Sequence, residues 1–159
     1  MALHNTASAL LVLTLLLGGC GMFSTSAPPP PAAPEAMPLT EANVDAVRSA
    51  VAKAKSQTSR PAAPGDYEAY VRRVYVAPWT GHWSAAATTE AALAQAGHGS
   101  DLARQYLAIM VYDVQLLSVM EGASLSTGQW RDVYVRSGVM SENAYSGYVA
   151  MNQGRRALP

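Results

Sequence analysis

Apolar residues recur along this chain at helical spacing. Val44, Val47, Ala50, Val51 and Ala54 share one face, which predicts a helix over residues 40–56. Thr40 is its expected N-cap, with Leu39 and Val44 placed as a hydrophobic staple. The apolar side chains of this face are small, so the helix is expected to attach only loosely to the rest. Tyr67, Tyr70, Val71 and Val74 repeat the i, i+3, i+4, i+7 pattern and predict a second helix from about Asp66. It must end by Ala77, because Pro78 disfavours helical backbone at the residue before it. An alanine-rich helical segment, Ala85 to Ala96, is closed by the turn Gly97-His98-Gly99-Ser100, and Ser100 or Asp101 caps the next helix. That helix is expected over about Leu102 to Glu121; from Tyr106 to Met120 nearly every residue is apolar, with Arg104, Gln115 and Ser118 leaving a thin polar stripe. Such a helix is predicted to be the buried centre of a bundle. Ser126 and Gln129 have capping-box spacing, with Leu125 and Trp130 as staple partners, and Ser141 caps a last helix after Gly138. No segment alternates as a strand would, and no fixed period repeats. The expected fold is all-α, a small bundle of about five short helices, its domain over residues 66–159.

The N-terminal segment has a different pattern. An apolar run from Ala9 to Leu17 is too short for the ~20 residues of a membrane-spanning helix, but fits the hydrophobic region of a signal peptide. It leads into Leu17-Gly18-Gly19-Cys20, and Cys20 is the only cysteine. Small residues before a solitary cysteine give this stretch its resemblance to a bacterial lipoprotein precursor. The resemblance implies a signal peptide over residues 1–19, cleavage before Cys20, and a diacylglycerol and an N-acyl chain on that residue. Several acyl chains hold a protein firmly on its leaflet, at ~0.8 kcal/mol per buried methylene. By the sorting pattern of such proteins, Gly21 in place of an aspartate implies the outer membrane, facing the periplasm. All basic side chains lie at or beyond Arg48, so none marks the start of the leader. Cleavage near Ser24-Thr25-Ser26, giving a soluble periplasmic protein, and an uncleaved segment are the alternatives.

Prolines then dominate: Pro28 to Pro31, Pro34 and Pro38. Proline fixes φ and lacks a donor, so residues 20–39 are expected to form an extended spacer. Ser59 to Gly65, with Pro61 and Pro64, reads as a second linker. Eleven basic and eleven acidic side chains cancel, which leaves no field for nucleic acid or anionic lipid. With a single cysteine there is no disulfide or thiolate metal site, and no Glu-x-x-His pattern suggests another metal or cofactor.

Asp113 is the leading buried polar candidate. On a regular helical wheel it faces away from the Arg104, Gln115 and Ser118 stripe, into the expected core, where a carboxylate needs a partner or a proton. Arg72, Arg73, Arg131 and Arg136 are the candidate partners. The functional reading is a general acid; the plainer one is an ion pair or tyrosine hydrogen bond that sets bundle register. Trp79, His82 and Trp83 crowd one turn and suit either a ligand or partner contact, or a plug at the end of the bundle. His98, Ser100 and Asp101 fall within one turn, where capping accounts for them, since a catalytic triad converges from separate elements.

Two functions are compatible with these features. The first is a non-catalytic accessory lipoprotein that binds another envelope protein during assembly, secretion or transport. In size and class it resembles the helical pilotin lipoproteins that escort secretin subunits, although it lacks the cysteine pair of the disulfide-bonded kind. The second is peptidoglycan or glycan binding, with or without hydrolysis, through Trp79, Trp83 and His82 with an acid such as Glu90 or Asp113.

Overall fold

The computed structural model describes residues 27–79 and 83–156, the last three through their backbone alone. Cys20, the leader and His82 lie outside the described residues. Chain contacts separate two units, Met1–Pro31 and Ala32–Pro159. Of the first, residues 27–31 are described, and they are exposed and without regular structure. The second unit is an all-α bundle, with no strand among the described residues.

The spacer expected over residues 20–39 ends earlier than its composition suggests. Met37 is 4% exposed and enters the core. Its N–H donates to Thr88 Oγ1 at 2.8 Å, while Ser84 N–H donates to the Glu35 carbonyl at 3.0 Å. A methionine among prolines has apolar surface to bury, and its donor found a hydroxyl.

Helix α1, Glu41–Gln57, begins where Thr40 accepts the Asn43 N–H at 3.2 Å. Its loose attachment is not observed. Val44, Val47 and Val51 are all buried, and the helix packs on residues 72–79 and 101–112. Full burial of a valine contributes on the order of 1.5 kcal/mol or more, so three of them hold the helix firmly.

The second helical segment runs on past the expected stop. A 3-10 turn, Pro64–Asp66, opens it; α2, Tyr67–Val71, continues into a π turn, Arg72–Val76, and a 3-10 turn, Ala77–Trp79. Ala77 stays right-handed helical at φ −58° and ψ −32°, so Pro78 tightens the helix instead of ending it. Helix α3, Ala85–Gly97, is capped by Ser84, and α4, Asp101–Leu107, by Ser100. A second π turn, Ala108–Tyr112, joins α4 to α5, Asp113–Met120, as one rod. Helix α6, Thr127–Arg136, has both halves of its capping box, Gln129 N–H to Ser126 Oγ at 3.3 Å and Ser126 N–H to Gln129 Oε1 at 2.8 Å. Gly138 turns the chain at φ 91°, a left-handed angle that suits glycine, before α7, Glu142–Arg156.

The rod is buried on one side only. Met110, Val111, Val114 and Leu117 are in the core, whereas Tyr112, Leu116, Val119 and Met120 are 42%, 56%, 74% and 68% exposed. Ser118, expected on the solvent stripe, is buried, and Gln115 donates to the Tyr148 hydroxyl at 2.8 Å. Met110, Val111, Val114, Leu117 and Ser118 keep regular helical spacing, so one buried face runs straight through the π turn and takes Ser118 with it, with Tyr112, Leu116 and Val119 on the opposite side.

Candidate functional site

A partly buried polar cluster links the two π turns. Asp113 comes directly after the second π turn, and its Oδ2 takes two donors: Lys55 Nζ from α1 at 2.8 Å, and the hydroxyl of Tyr75 from the first π turn. Tyr75 is fully buried, and burial pushes its phenol far above the usual tyrosine range, reinforced by the bond to Asp113 and its charge. The Tyr70 ring packs edge-on to Tyr75, with centroids 6.4 Å apart. Burial and then the Asp113 carboxylate raise the Tyr70 phenol as well, while Arg60 opposes them.

None of the four expected arginines reaches Asp113; its cation is Lys55. The side chain of Asp113 is 29% exposed, so it sits at the edge of the core and not within it. Chemically the cluster is closed: the phenol stays neutral and donates, the ammonium balances the charge, and neither is left free for proton transfer. Lys55 had a readable signal. It lies four residues beyond Val51, on the continuation of the valine face, where a cation needs an acid close by. Tyr75 had none, being one apolar residue in an apolar run.

Asp113 also borders two open grooves that run along the rod. One, of about 390 Å³, lies between α1 and α4 and is lined by Arg48, Val51, Ala52, Lys55, Gln105 and Ile109. The other, of about 520 Å³, lies on the outer face and is lined by Tyr112, Gln115, Leu116 and Val119. Ala108 belongs to both. The outer groove coincides with the exposed apolar side chains of Tyr112, Leu116 and Val119.

Trp79 and Trp83 are both half-buried and pack against the core, forming part of the domain wall. The indole N–H of Trp79 is buried without a partner among the described residues. Glu90 is exposed on α3. Ser100 accepts the Ala103 N–H at 3.3 Å as a cap, and Asp101 pairs with Arg104 at 2.7 Å, so neither is aligned with His98 for nucleophilic chemistry. Among the described residues no group of three or more His, Cys, Asp or Glu could hold a metal, and no helix is long and apolar enough to cross a membrane. Compared with known proteins, the chain matches no family model, no curated protein and no solved structure.

Proposed function

We propose that this chain is a lipid-anchored accessory protein of the bacterial envelope, whose helical domain binds another envelope protein and is not itself catalytic. Acylation of Cys20 holds it on the outer membrane facing the periplasm, and the proline-rich segment carries the domain away from the lipid. The observation that supports the binding role is the outer face of α5. Single exposed apolar residues are ordinary on a protein surface. Four large ones, Tyr112, Leu116, Val119 and Met120, on one short stretch, the first three lining a groove, are what a protein interface presents. Beneath them the Lys55, Tyr75 and Asp113 cluster fixes the rod in place, so the face is held rigid for a partner.

The test is crosslinking and capture from cells with the full chain, the double variant Leu116→Glu/Val119→Glu and Cys20→Ala. The reading expects one envelope protein with the natural chain, lost with the double variant although its circular dichroism is unchanged. Capture of that protein undiminished by the double variant rules out the α5 face. Acylation is read separately, by incorporation of labelled palmitate that Cys20→Ala abolishes.

A further inference from the structure

One cation on a cavity wall has no role in the partner-binding face. Leaving aside Arg155 and Arg156, nine of the eleven Lys and Arg side chains are described. All but Lys53 and Arg73 lie within ion-pair distance of a carboxylate. Lys53 stands on the open surface of α1, outside the groove between α1 and α4. Arg73 instead lines a cavity of about 260 Å³, between the segment after α1 and the helix containing α2.

The rest of that cavity suits an anion. Arg60 brings a second guanidinium to the same space, and Thr58 and Ser59 bring hydroxyls. Arg60 is held by Glu121 at 3.0 Å, so it is positioned before any ligand arrives. Asp66 also lines the cavity, but its Oδ2 already accepts the Ala63 N–H at 3.2 Å. Pro61, Ala69 and Tyr70 complete the walls. Glu121 balances Arg60, Arg73 has no carboxylate within ion-pair distance among the described residues, and the planar forks of both match the oxygens of a carboxylate or phosphate. The cavity is smaller than the ~300–1,000 Å³ of sites for drug-sized ligands, so it fits a small anion or one charged group at the end of a larger molecule.

We infer that Arg73 and Arg60, with the hydroxyls of Thr58 and Ser59, form a binding site for a small oxyanion, a carboxylate or a phosphate. Arg73 makes the bidentate contact, and Arg60 and the hydroxyls take the remaining oxygens. This site is independent of the α5 face and stands whether or not that face binds a partner.

The full chain, in non-ionic detergent at constant ionic strength, is titrated with inorganic phosphate and separately with acetate, following the backbone amide resonances of Thr58, Ser59 and Arg73. At least one anion is expected to give saturable shifts at these residues, and the one that does identifies the oxyanion as phosphate or carboxylate. Arg73→Gln is expected to weaken binding about tenfold or more, the usual worth of charged hydrogen bonds. Arg73→Lys, which keeps the charge and loses the fork, falls between them. Lys53→Gln removes the same charge outside the cavity and leaves binding intact. Shifts that do not saturate with either anion overturn the proposal, as does an equal loss in Arg73→Gln and Lys53→Gln.

Discussion

Tyr75 donates its phenolic hydrogen to Asp113, and so joins the π turn of one helical segment to the residue directly after the π turn of another. A π turn widens a helix and interrupts its regular ladder, so it persists only where neighbouring groups hold it. Here the holding contacts are mutual. The first turn carries Tyr75 to the carboxylate, the second sets Asp113 at the edge of the core, and Lys55 of α1 closes the cluster. A further bond supports the second turn from the other side, where the Tyr134 hydroxyl donates to the Val111 carbonyl at 3.0 Å.

Removing the acceptor should cost more than removing either donor. Asp113→Ala leaves the fully buried Tyr75 hydroxyl without a partner, a loss of about 1–3 kcal/mol. Lys55→Ala breaks an ion pair whose side chains are 37% and 29% exposed, and solvent screening limits its cost to about 1 kcal/mol or less. Tyr75→Phe falls between them. Urea midpoints at a shared m-value measure the order, and a Lys55→Ala cost equal to that of Asp113→Ala would show that the charge, not the phenol, dominates.

Tyr134 offers a separate test of the second π turn. Its ring stacks on Trp130 at a centroid distance of 5.6 Å and packs against Tyr145 and Tyr148. Tyr134→Phe keeps that packing and deletes only the bond to Val111, with an expected loss of about 1–3 kcal/mol. Hydrogen exchange should rise first around Ala108–Tyr112. Tyr134→Ala also opens a cavity and should cost about 3–5 kcal/mol. A Phe variant with native exchange in the rod would mean that the hydroxyl does not support the turn.

Alkaline pH should unfold the domain steeply. Burial raises the phenols of Tyr75 and Tyr134 well above their ordinary value of 10.0, and pushes Tyr106 up to about 12. A group whose folded pKa is raised contributes stability that is complete below its unfolded pKa and is lost as pH climbs toward the folded one. Above pH 10 each of the three therefore removes up to about 1.4 kcal/mol per pH unit, Tyr106 less as the pH nears 12. Phenolate absorbance recorded beside circular dichroism checks this: these tyrosines should ionise with unfolding and not before it.

Much of the fold was legible because it depends on neighbours in sequence. Thr40, Ser100, Ser126 and Ser141 cap the helices expected of them, each through a bond to a backbone N–H three residues on. The rod was misread for the opposite reason. Nothing local in Ala108–Tyr112 distinguishes a π turn from an α turn, since the contact at Val111 comes from Tyr134, far along the chain. In a rod this apolar, Arg104, Gln115 and Ser118 do not fix the solvent face; partners distant in sequence cover the side that carries Ser118 and leave Leu116 and Val119 exposed. Asp113 was picked out correctly as a residue that needs partners, but the partners come from Lys55 and Tyr75, distant in sequence and adjacent only in the fold.

The segment before α1 gives the last prediction. Composition makes residues 20–39 one spacer, yet Met37 is as buried as the core tyrosines and its N–H is held by Thr88. If that contact is part of the domain, Met37→Ala should cost about 2 kcal/mol or more, the range for truncating a buried methionine. It should also make the backbone of residues 35–39 more accessible to proteases, while cleavage within residues 27–34, already exposed, stays the same. Thr88→Val, which keeps the shape and removes the acceptor, separates the hydrogen bond from the packing and should leave the Met37 N–H buried and unpaired at a cost of about 1–3 kcal/mol. Limited proteolysis of the two variants and the natural chain decides it. Equal cutting of residues 35–39 in all three would return those residues to the spacer and leave a stable core that begins only at Thr40.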